Sequence, residues 1–388
     1  MNPKTGIIIL NYNGWYDTIE CLQSVFQIEY DNYEVVLVDN ASTDDSLLRI
    51  RTYCNNALKV DPTFLSHSHL QQPTRLAEYT GDAVEMGEDA GNNTRLLSCN
   101  KPLVLIKNER NCGFAEGVNI GVRYALNALD PEFILVLNND ALIDKDLLRE
   151  MIDSADRDSR VGLVQPKVLR YADSKINETG ILCDMLGSTQ QRGWGEEDRG
   201  QYDEETDRGF FYAGGACLLV RRSMLRDLPD DCFDPYFFAY HEDTDLSWAA
   251  RLLGYRVTYC PSALCWHKGG ATSGGLNPKT AYLVYKNRLR VLIKNYSLTT
   301  LAAALPVTVL LQLFLLGAGA IVNTDPHYLR SFLKALSWNA VNLSSALSRR
   351  RFIQLKRTMT DKEVMQYMVC HSLEVDSALK ALSLRRDP

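Results

Sequence analysis

The run Phe237-Phe238-Ala239-Tyr240-His241-Glu242-Asp243-Thr244-Asp245-Leu246 sets three carboxylates and an imidazole between an aromatic segment and an apolar helical pattern. Leu246, Ala249, Ala250, Leu252 and Leu253 recur at helical spacing and Gly254 supplies a stop, so Asp243 or Thr244 falls at the helix entry. One reading is an N-cap whose neighbouring acids complement the positive end of the helix. A cap needs only one oxygen, however, and an apolar Tyr236-Phe237-Phe238 just upstream would desolvate a carboxylate and raise its basicity. A general base is the second reading.

Three other polar clusters could do chemistry: Asp39-Asn40-Ala41-Ser42-Thr43-Asp44, Asn111 to Asn119, and Asn138-Asn139-Asp140. Each follows a short apolar run that reads as a buried strand. Residues 7–10 and 35–38 flank a helical pattern at Ile19, Leu22, Val25 and Phe26, which makes a strand, helix, strand unit. Residues 103–106 and 133–137 are further strands, with a helix expected over 118–129. Polar residues thus collect beyond the carboxyl ends of parallel strands, where open α/β sheets bind ligands. Beyond Asp140, residues 161–168 and 210–220 read as strands, the latter interrupted by Gly214-Gly215 as at a bulge or a close approach. His267 lies after a short strand and before a glycine-rich loop; taken alone, such a histidine is more often structural than a ligand.

The expected fold class is α/β, a Rossmann-like mixed sheet flanked by helices with a helical C-terminal region. Residues 1–140 form the first part, with an insertion or lid at 59–101 carrying His67, His69, Asp82, Glu85, Glu88 and Asp89; 141–280 form the second and 281–388 the third. A net charge of -6 and a pI near 5.6 argue against a nucleic-acid binder. Ten scattered cysteines without a C-x-x-C pair read as reduced cytosolic thiols, and the apolar N-terminal run is too short for a signal peptide. Residues 301–322 are uncharged and about long enough to span a bilayer, though Pro306, Gln312, Gly317 and Gly319 interrupt them. Lys286, Arg288, Arg290 and Lys294 on one side, and Arg349, Arg350, Arg351, Lys356 and Arg357 on the other, suit an anionic membrane surface or an anionic ligand. Monotopic or hairpin association is the favoured reading over a single crossing or a buried core helix.

Taken in order, the Asp39 to Asp44 segment, Asn111-Cys112-Gly113-Phe114-Ala115-Glu116-Gly117-Val118-Asn119, Asn138-Asn139-Asp140, Gly214-Gly215-Ala216, Glu242-Asp243-Thr244-Asp245-Leu246 and His267 resemble family 2 glycosyltransferases with a GT-A fold, most of all the rhamnosyltransferase branch. The likeness covers roughly residues 4–294. It implies an inverting transfer of a sugar, rhamnose favoured, from a dTDP- or UDP-sugar to a hydroxyl of a glycan or polyprenyl-linked acceptor. Asp243 would be the general base, with Glu242 beside it and Asp245 serving the helix start. Asp140 stands where the family has the last acid of its D-x-D motif and would hold Mg2+ or Mn2+, with His267 completing the site and leaning it towards Mn2+. Asn138 departs from the pattern, since an acid is common there. Asp39 would meet the nucleobase, and Asp44 is better read as a helix cap. Asn11, Asn13, Asn40, Ser42, Asn111, Gly113, Phe114, Gly117, Asn138 and Asn139 would surround the nucleotide sugar, and Trp194, Gly214 and Gly215 the acceptor. The expected place is the cytoplasmic face of the cell membrane. The alternatives are a nucleotidyltransferase, which needs a basic glycine-rich loop that Asn11-Tyr12-Asn13-Gly14-Trp15 does not supply, and a non-catalytic sugar-nucleotide or glycan binder of the same fold.

Overall fold

Strands β1 (Thr5–Asn11) and β2 (Tyr33–Asp39) are near-continuous apolar runs because helices cover both sides of them, and α1 (Trp15–Val25) crosses between them burying Ile19, Leu22 and Val25. The computed structural model of the chain describes residues 2–55, 57–58, 75–85, 102–229, 231–269, 277–323 and 326–383. Helix α2 (Ser46–Cys54), strand β3 (Arg75–Thr80), the short α3 (Gly81–Glu85) and strand β4 (Pro102–Lys107) come next. Helix α4 (Gly113–Tyr124) then leads through a wider turn at Ala125–Leu129 into β5 (Phe133–Asn138). These five strands run parallel in the order β3-β4-β2-β1-β5. The register pairs Asn11 with Asp39 and Leu10 with Asn138, so the carboxyl ends of β1, β2 and β5 are level. Chain order reverses at β1, which opens a crevice there.

The sheet continues beyond β5. Strand β6 (Ala141–Ile143), helix α5 (Leu147–Asp156) and strand β7 (Val161–Arg170) lead to three-residue strands β8 (Ile176–Glu178), β9 (Ile181–Cys183) and β10 (Thr189–Gln191), then to β11 (Cys217–Arg221), α6 (Arg222–Leu225), α7 (Glu242–Leu252) and β12 (Arg256–His267). The order beyond β5 is β11-β7-β12-β6, with β8 on β7 and β11 antiparallel to both its neighbours. Residues 1–140 and 141–280 therefore share one 10-stranded mixed sheet.

Two expectations change. The strand expected over 210–220 is only Cys217–Arg221: Gly214 lies outside it, and a Cβ there would meet Glu178 Oε1 at 2.3 Å. Within the insertion at 59–101, β3 extends the sheet on β4, and Asp82 lies in α3, as does the backbone of Glu85. His67, His69, Glu88 and Asp89 lie outside the described residues. The described cysteines are all free thiols.

Helix α4 lies close against β1. A Cβ on Gly117 would come within 2.6 Å of Leu10 Cδ1, and one on Gly121 within 2.6 Å of Ile8 Cγ2, a branched side chain with no exposure and little room to yield. Gly117 is thus a helix-packing glycine. Gly121→Ala should lower unfolding stability by about 1–3 kcal/mol through overpacking, measured by denaturant titration; unchanged stability would mean that α4 can lift from the sheet freely.

The C-terminal part is helical: α8 (Pro278–Asn295), α9 (Leu298–Asn323), α10 (His327–Val341), α11 (Leu343–Lys356), α12 (Asp361–Met365) and α13 (Leu373–Ser383). Its basic residues correct the expectation of a cationic surface, because most of them point inward. The fully buried Arg290 and Lys294 each donate to Asp234 Oδ2 at 2.8 Å, and Arg349 Nε lies 3.3 Å from Asp234 Oδ1. Burial opposes the Asp234 charge, but Lys294 and Arg290 overcome it and hold the carboxyl well below the usual range. Lys294 also bonds Asp245, and Arg288 reaches Glu374 at 2.9 Å. Arg350 serves the carbonyls of Ile293 and Tyr296, Arg357 pairs with Asp361, and only Arg351 and Lys356 of the second cluster are exposed.

Helix α9 is the opposite case. It is long and apolar enough to cross a membrane, yet only 17% of that stretch is buried, and Leu298, Leu310, Phe314 and Ile321 face outward. That overturns the core-helix reading of residues 301–322.

Candidate active site

A cleft of about 940 Å³ opens over the carboxyl ends of β1 and β5 and extends across β7, β8 and β12 to the start of α8. Its volume is of the order that small-ligand sites have. Of the residues singled out in the sequence, Asn40, Asn111, Gly113, Phe114, Asn138, Asn139, Asp140, Trp194, Gly215, Glu242, Asp243 and His267 line it. Asn11, Asn13, Asp39, Ser42, Gly117 and Gly214 do not.

Of these, Asn11, Asp39, Gly117 and Gly214 are buried behind the wall, Ser42 is half-buried and Asn13 exposed. Asp39 is buried, its Oδ1 accepting from Asn11 Nδ2 at 2.7 Å and Ser42 Oγ at 2.6 Å, and its Oδ2 from Ser42 N at 3.0 Å. Asn13 fastens the same loop through the backbone N–H of Thr43, and Asp44 accepts the N–H of Ser46, the first residue of α2, at 3.0 Å, although the N-cap position itself is Asp45, whose side chain makes no cap bond. Asn40 carries this order to the cleft: its Nδ2 donates to Asn111 Oδ1 and the Gly113 carbonyl, both at 3.0 Å. Gly113 has a positive φ of 83°, and a Cβ there would strike the Phe238 ring at 2.5 Å.

Phe238 belongs to a strained loop that aims the acids. Phe238, Tyr240 and His241 all have φ between 66° and 71°, a region that side chains enter at a cost of order 1–3 kcal/mol each. Helix α8 holds the loop in that shape. Asn287 Nδ2 donates to the carbonyls of Phe237, Ala239 and Tyr240 at 3.0, 2.7 and 2.6 Å, and Lys286 Nζ to that of Tyr236 at 2.8 Å. The Phe238 carbonyl in turn accepts from Phe114 N and Ala115 N, at 2.5 and 3.2 Å, and so caps α4. Of Tyr236-Phe237-Phe238 only Phe237 is buried, so the desolvation expected of all three falls to one.

Helix α7 begins at Glu242 after His241, and no side chain caps it. No acid serves as the N-cap, but Glu242, Asp243 and Asp245 all lie in the first turn, at the positive end of the helix. Asp245, there at the helix start, turns into the core and accepts from Lys294 and Asn295. Asp243 points into the cleft, with Oδ2 accepting Gly215 N at 3.0 Å and Oδ1 accepting Thr244 N at 2.7 Å. Burial raises its pKa to about 6 against these hydrogen bonds. Glu242 is buried with Oε2 unpartnered, and burial plus the Asp243 charge push it up to about 8. His241 cannot relieve either acid: burial and Arg288 lower it to about 3, so its ring stays neutral. Of the two, Asp243 is thus the readier to ionise, because Glu242 has no hydrogen bond on Oε2 and feels the Asp243 charge.

Asp140 follows β5, and His267 ends β12. The pairing of His267 with Ala141 across β12 and β6 brings them together, with His267 Nε2 3.2 Å from Asp140 Oδ1. Burial disfavours an imidazolium, yet the hydrogen bond and charge of Asp140 win and hold the His267 pKa above its ordinary value. Asn138 Nδ2 lies 3.5 Å from His267 Nε2, and Asn138 Oδ1 and His267 Nδ1 are buried without partners. A carboxylate oxygen and an imidazole nitrogen at one spot fit a first-row divalent cation whose other positions a diphosphate and water would fill. Among the described residues no group of three or more His, Cys, Asp and Glu could hold an ion alone.

Sequence reading missed most of the far wall. Glu178 on β8 is buried beside Gln165 Nε2 at 3.0 Å, and burial raises it to about 7 against the opposing charge of His267. Nothing in Asn177-Glu178-Thr179 signals this, because a three-residue strand has no period. Trp194 is 53% exposed with the Arg170 guanidinium 5.5 Å from its ring centre, and Tyr12, Tyr171, Gln191 and Tyr240 line the same space. Lys268, also at the cleft, is tied to Asp17 and Glu20 of α1.

A family model described as "Glycosyltransferase like family 2" matches residues 97–291, and one described as "Glycosyl transferase family 2" matches residues 6–69. Among characterised proteins, the chain is similar to the low-salt glycan biosynthesis hexosyltransferase Agl10 of Haloferax volcanii, 25% identical over 39% of this chain and 47% of that one. It is also similar to the N-acetylglucosaminyl-diphospho-decaprenol L-rhamnosyltransferase of Mycobacterium tuberculosis, 27% identical over 44% of this chain and 60% of that one. The chain thus matches about half to three-fifths of these relatives' lengths. Among solved structures, it is similar to a mannosyltransferase from Pyrobaculum calidifontis in complex with GDP-Man and Mn2+, with 16% identity, a TM-score of 0.47, and coverage of 94% of this chain and 84% of that one.

Proposed function

We propose that this chain, which belongs to glycosyltransferase family 2, moves a sugar from a nucleoside-diphosphate sugar to a hydroxyl of a glycan or lipid-linked glycan with inversion at the anomeric carbon. The observation that carries the reading is Asp243, oriented by two backbone N–H groups, in one cleft with the Asp140–His267 pair. Asp243 accepts the proton of the acceptor hydroxyl as its oxygen forms the bond to the anomeric carbon, and the bond from that carbon to the diphosphate breaks on the opposite face. Glu242, whose burial beside the Asp243 charge favours its neutral form, stands next to it to orient the acceptor. Asp140 and His267 would hold Mn2+ or Mg2+, which when bound supplies positive charge to the departing diphosphate. Asn40, Asn111, Gly113 and Phe114 border the donor, and Trp194 and Gly215 the acceptor.

Rhamnose is the favoured sugar and dTDP-rhamnose the first donor to try, supported by the rhamnosyltransferase among the relatives. Screening dTDP- and UDP-sugars for metal-dependent release of nucleoside diphosphate, with and without a polyprenyl-diphosphate glycan, tests the assignment. No release with any donor would leave a binding protein.

The exposed apolar face of α9 supports attachment to the cytoplasmic face of the cell membrane, where nucleotide sugars are available. Because Arg288, Arg290 and Lys294 are spent on internal acids, apolar burial must supply most of the affinity. The full chain should float with phosphatidylglycerol liposomes and stay bound in about 0.5 M salt, where surface charge is largely screened. Release at that salt would mean that charge, and not α9, carries the attachment.

A further inference from the structure

A second cavity, of about 690 Å³ and mainly apolar, lies between α8 and α10 against Pro278, Tyr282, Trp338 and Val341. The first turns of α8 are the wall between this groove and the reaction cleft. Pro278 and Tyr282, four residues apart, face the groove, while Thr280 and Leu283, three apart, face the cleft. Lys279 lines both. Lys334 on α10 adds a second exposed ammonium to the groove. Val341, at the end of α10, is 79% exposed, and α10 itself packs against α9, the apolar surface helix.

We propose that this groove binds the isoprenyl diphosphate of a lipid-linked acceptor, the tail along Tyr282, Trp338 and Val341 and the diphosphate at Lys279 and Lys334, with the attached sugar across the first turn of α8 in the cleft. The inference rests on the transferase reading above and adds where the acceptor's carrier sits. Two features select this occupant over a detached apolar ligand. The groove and the reaction cleft share Lys279 as a lining residue, so a diphosphate held at that ammonium lies at the border of both. Its charge is complementary as well, because ammonium groups beside an apolar lining match a diphosphate joined to a hydrocarbon chain. A bilayer lipid would satisfy the apolar lining but has no reason to reach the cleft.

Geranylgeranyl diphosphate below its micellar concentration is the probe, titrated into the full chain by calorimetry, with geranylgeraniol as the uncharged arm. Lys334→Ala should weaken the diphosphate about tenfold and leave geranylgeraniol unchanged, and Val341→Glu should weaken both about tenfold. Both side chains are exposed and neither lines the cleft, so Mn2+-dependent binding of UDP, read in the same variants, should persist and show that the fold is intact. Unchanged affinity for geranylgeranyl diphosphate in both variants would overturn the groove assignment while metal-dependent turnover of nucleotide sugars kept the transferase reading. An equal loss of binding to phosphatidylglycerol vesicles without isoprenoid would also overturn it, leaving a general lipid contact. Failure of every donor to turn over would remove the reading beneath it.

Discussion

Asp243→Asn should cut turnover by about 10²-fold or more while leaving nucleoside-diphosphate binding nearly intact, because the amide keeps the carboxylate's shape and loses its proton affinity. The wild-type rate should fall roughly tenfold per pH unit below about pH 6, since a base works only when unprotonated and burial has raised this group to about that value. That acid limb should vanish from the residual activity of the variant. Glu242→Gln makes the contrast: burial and the Asp243 charge push Glu242 up to about 8 and favour its neutral form, so a neutral amide there should alter turnover far less than Asp243→Asn does. Near-wild-type turnover in Asp243→Asn, or an acid limb that survives it, would move the base elsewhere, and the buried Glu178, raised to about 7 in the same cleft, would be the next residue to change.

The parts of this site that sequence made visible are those fixed by regular spacing. Residues 7–10, 35–38 and 133–137 are uninterrupted apolar runs, so the strand ends at Asn11, Asp39 and Asn138 could be placed, and parallel pairing made them level. Glu242 and Asp243 stood out because acids are rarely placed next to a buried aromatic. What stayed hidden depends on partners far along the chain. Lys286, Arg288, Arg290 and Lys294 look like an exposed basic face until their partners are seen: Asp234 and Asp245 lie against Arg290 and Lys294, 49 to 60 residues away, Glu374 against Arg288, and backbone carbonyls against Lys286. Asp39 looks free to meet a ligand until Asn11 and Ser42 close around it. The loop from Phe238 to His241 carries no glycine to advertise its positive φ values, because its strain is compensated from outside, by the Asn287 amide on α8. That loop also joins the two halves of the cleft, since its Phe238 carbonyl caps α4 on the donor side while its last residue leads into Asp243.

Asp140→Ala and His267→Ala should each abolish most of the Mn2+-dependent gain in binding of UDP or dTDP and lower turnover by on the order of 10²–10³-fold, because each removes one of two protein donors at the spot where a leaving diphosphate needs charge. The two residues also tie β5 to β12 through their 3.2 Å contact, so a loss could reflect a loosened sheet edge. Asp140→Asn separates these causes. The amide can still hydrogen-bond His267 and keeps an oxygen at the same place, but it carries no charge; thermal stability should be retained while the response to Mn2+ falls. Asn138 makes a related point: Asn138→Ala removes an uncharged amide, whose Nδ2 lies 3.5 Å from His267 Nε2, so its effect on Mn2+-dependent binding should be smaller than that of Asp140→Asn. Calorimetry with and without Mn2+ reads both. Unchanged metal response in Asp140→Ala and His267→Ala alike would put the cation elsewhere, and the orphaned oxygen of Asn138 would then need a ligand of another kind.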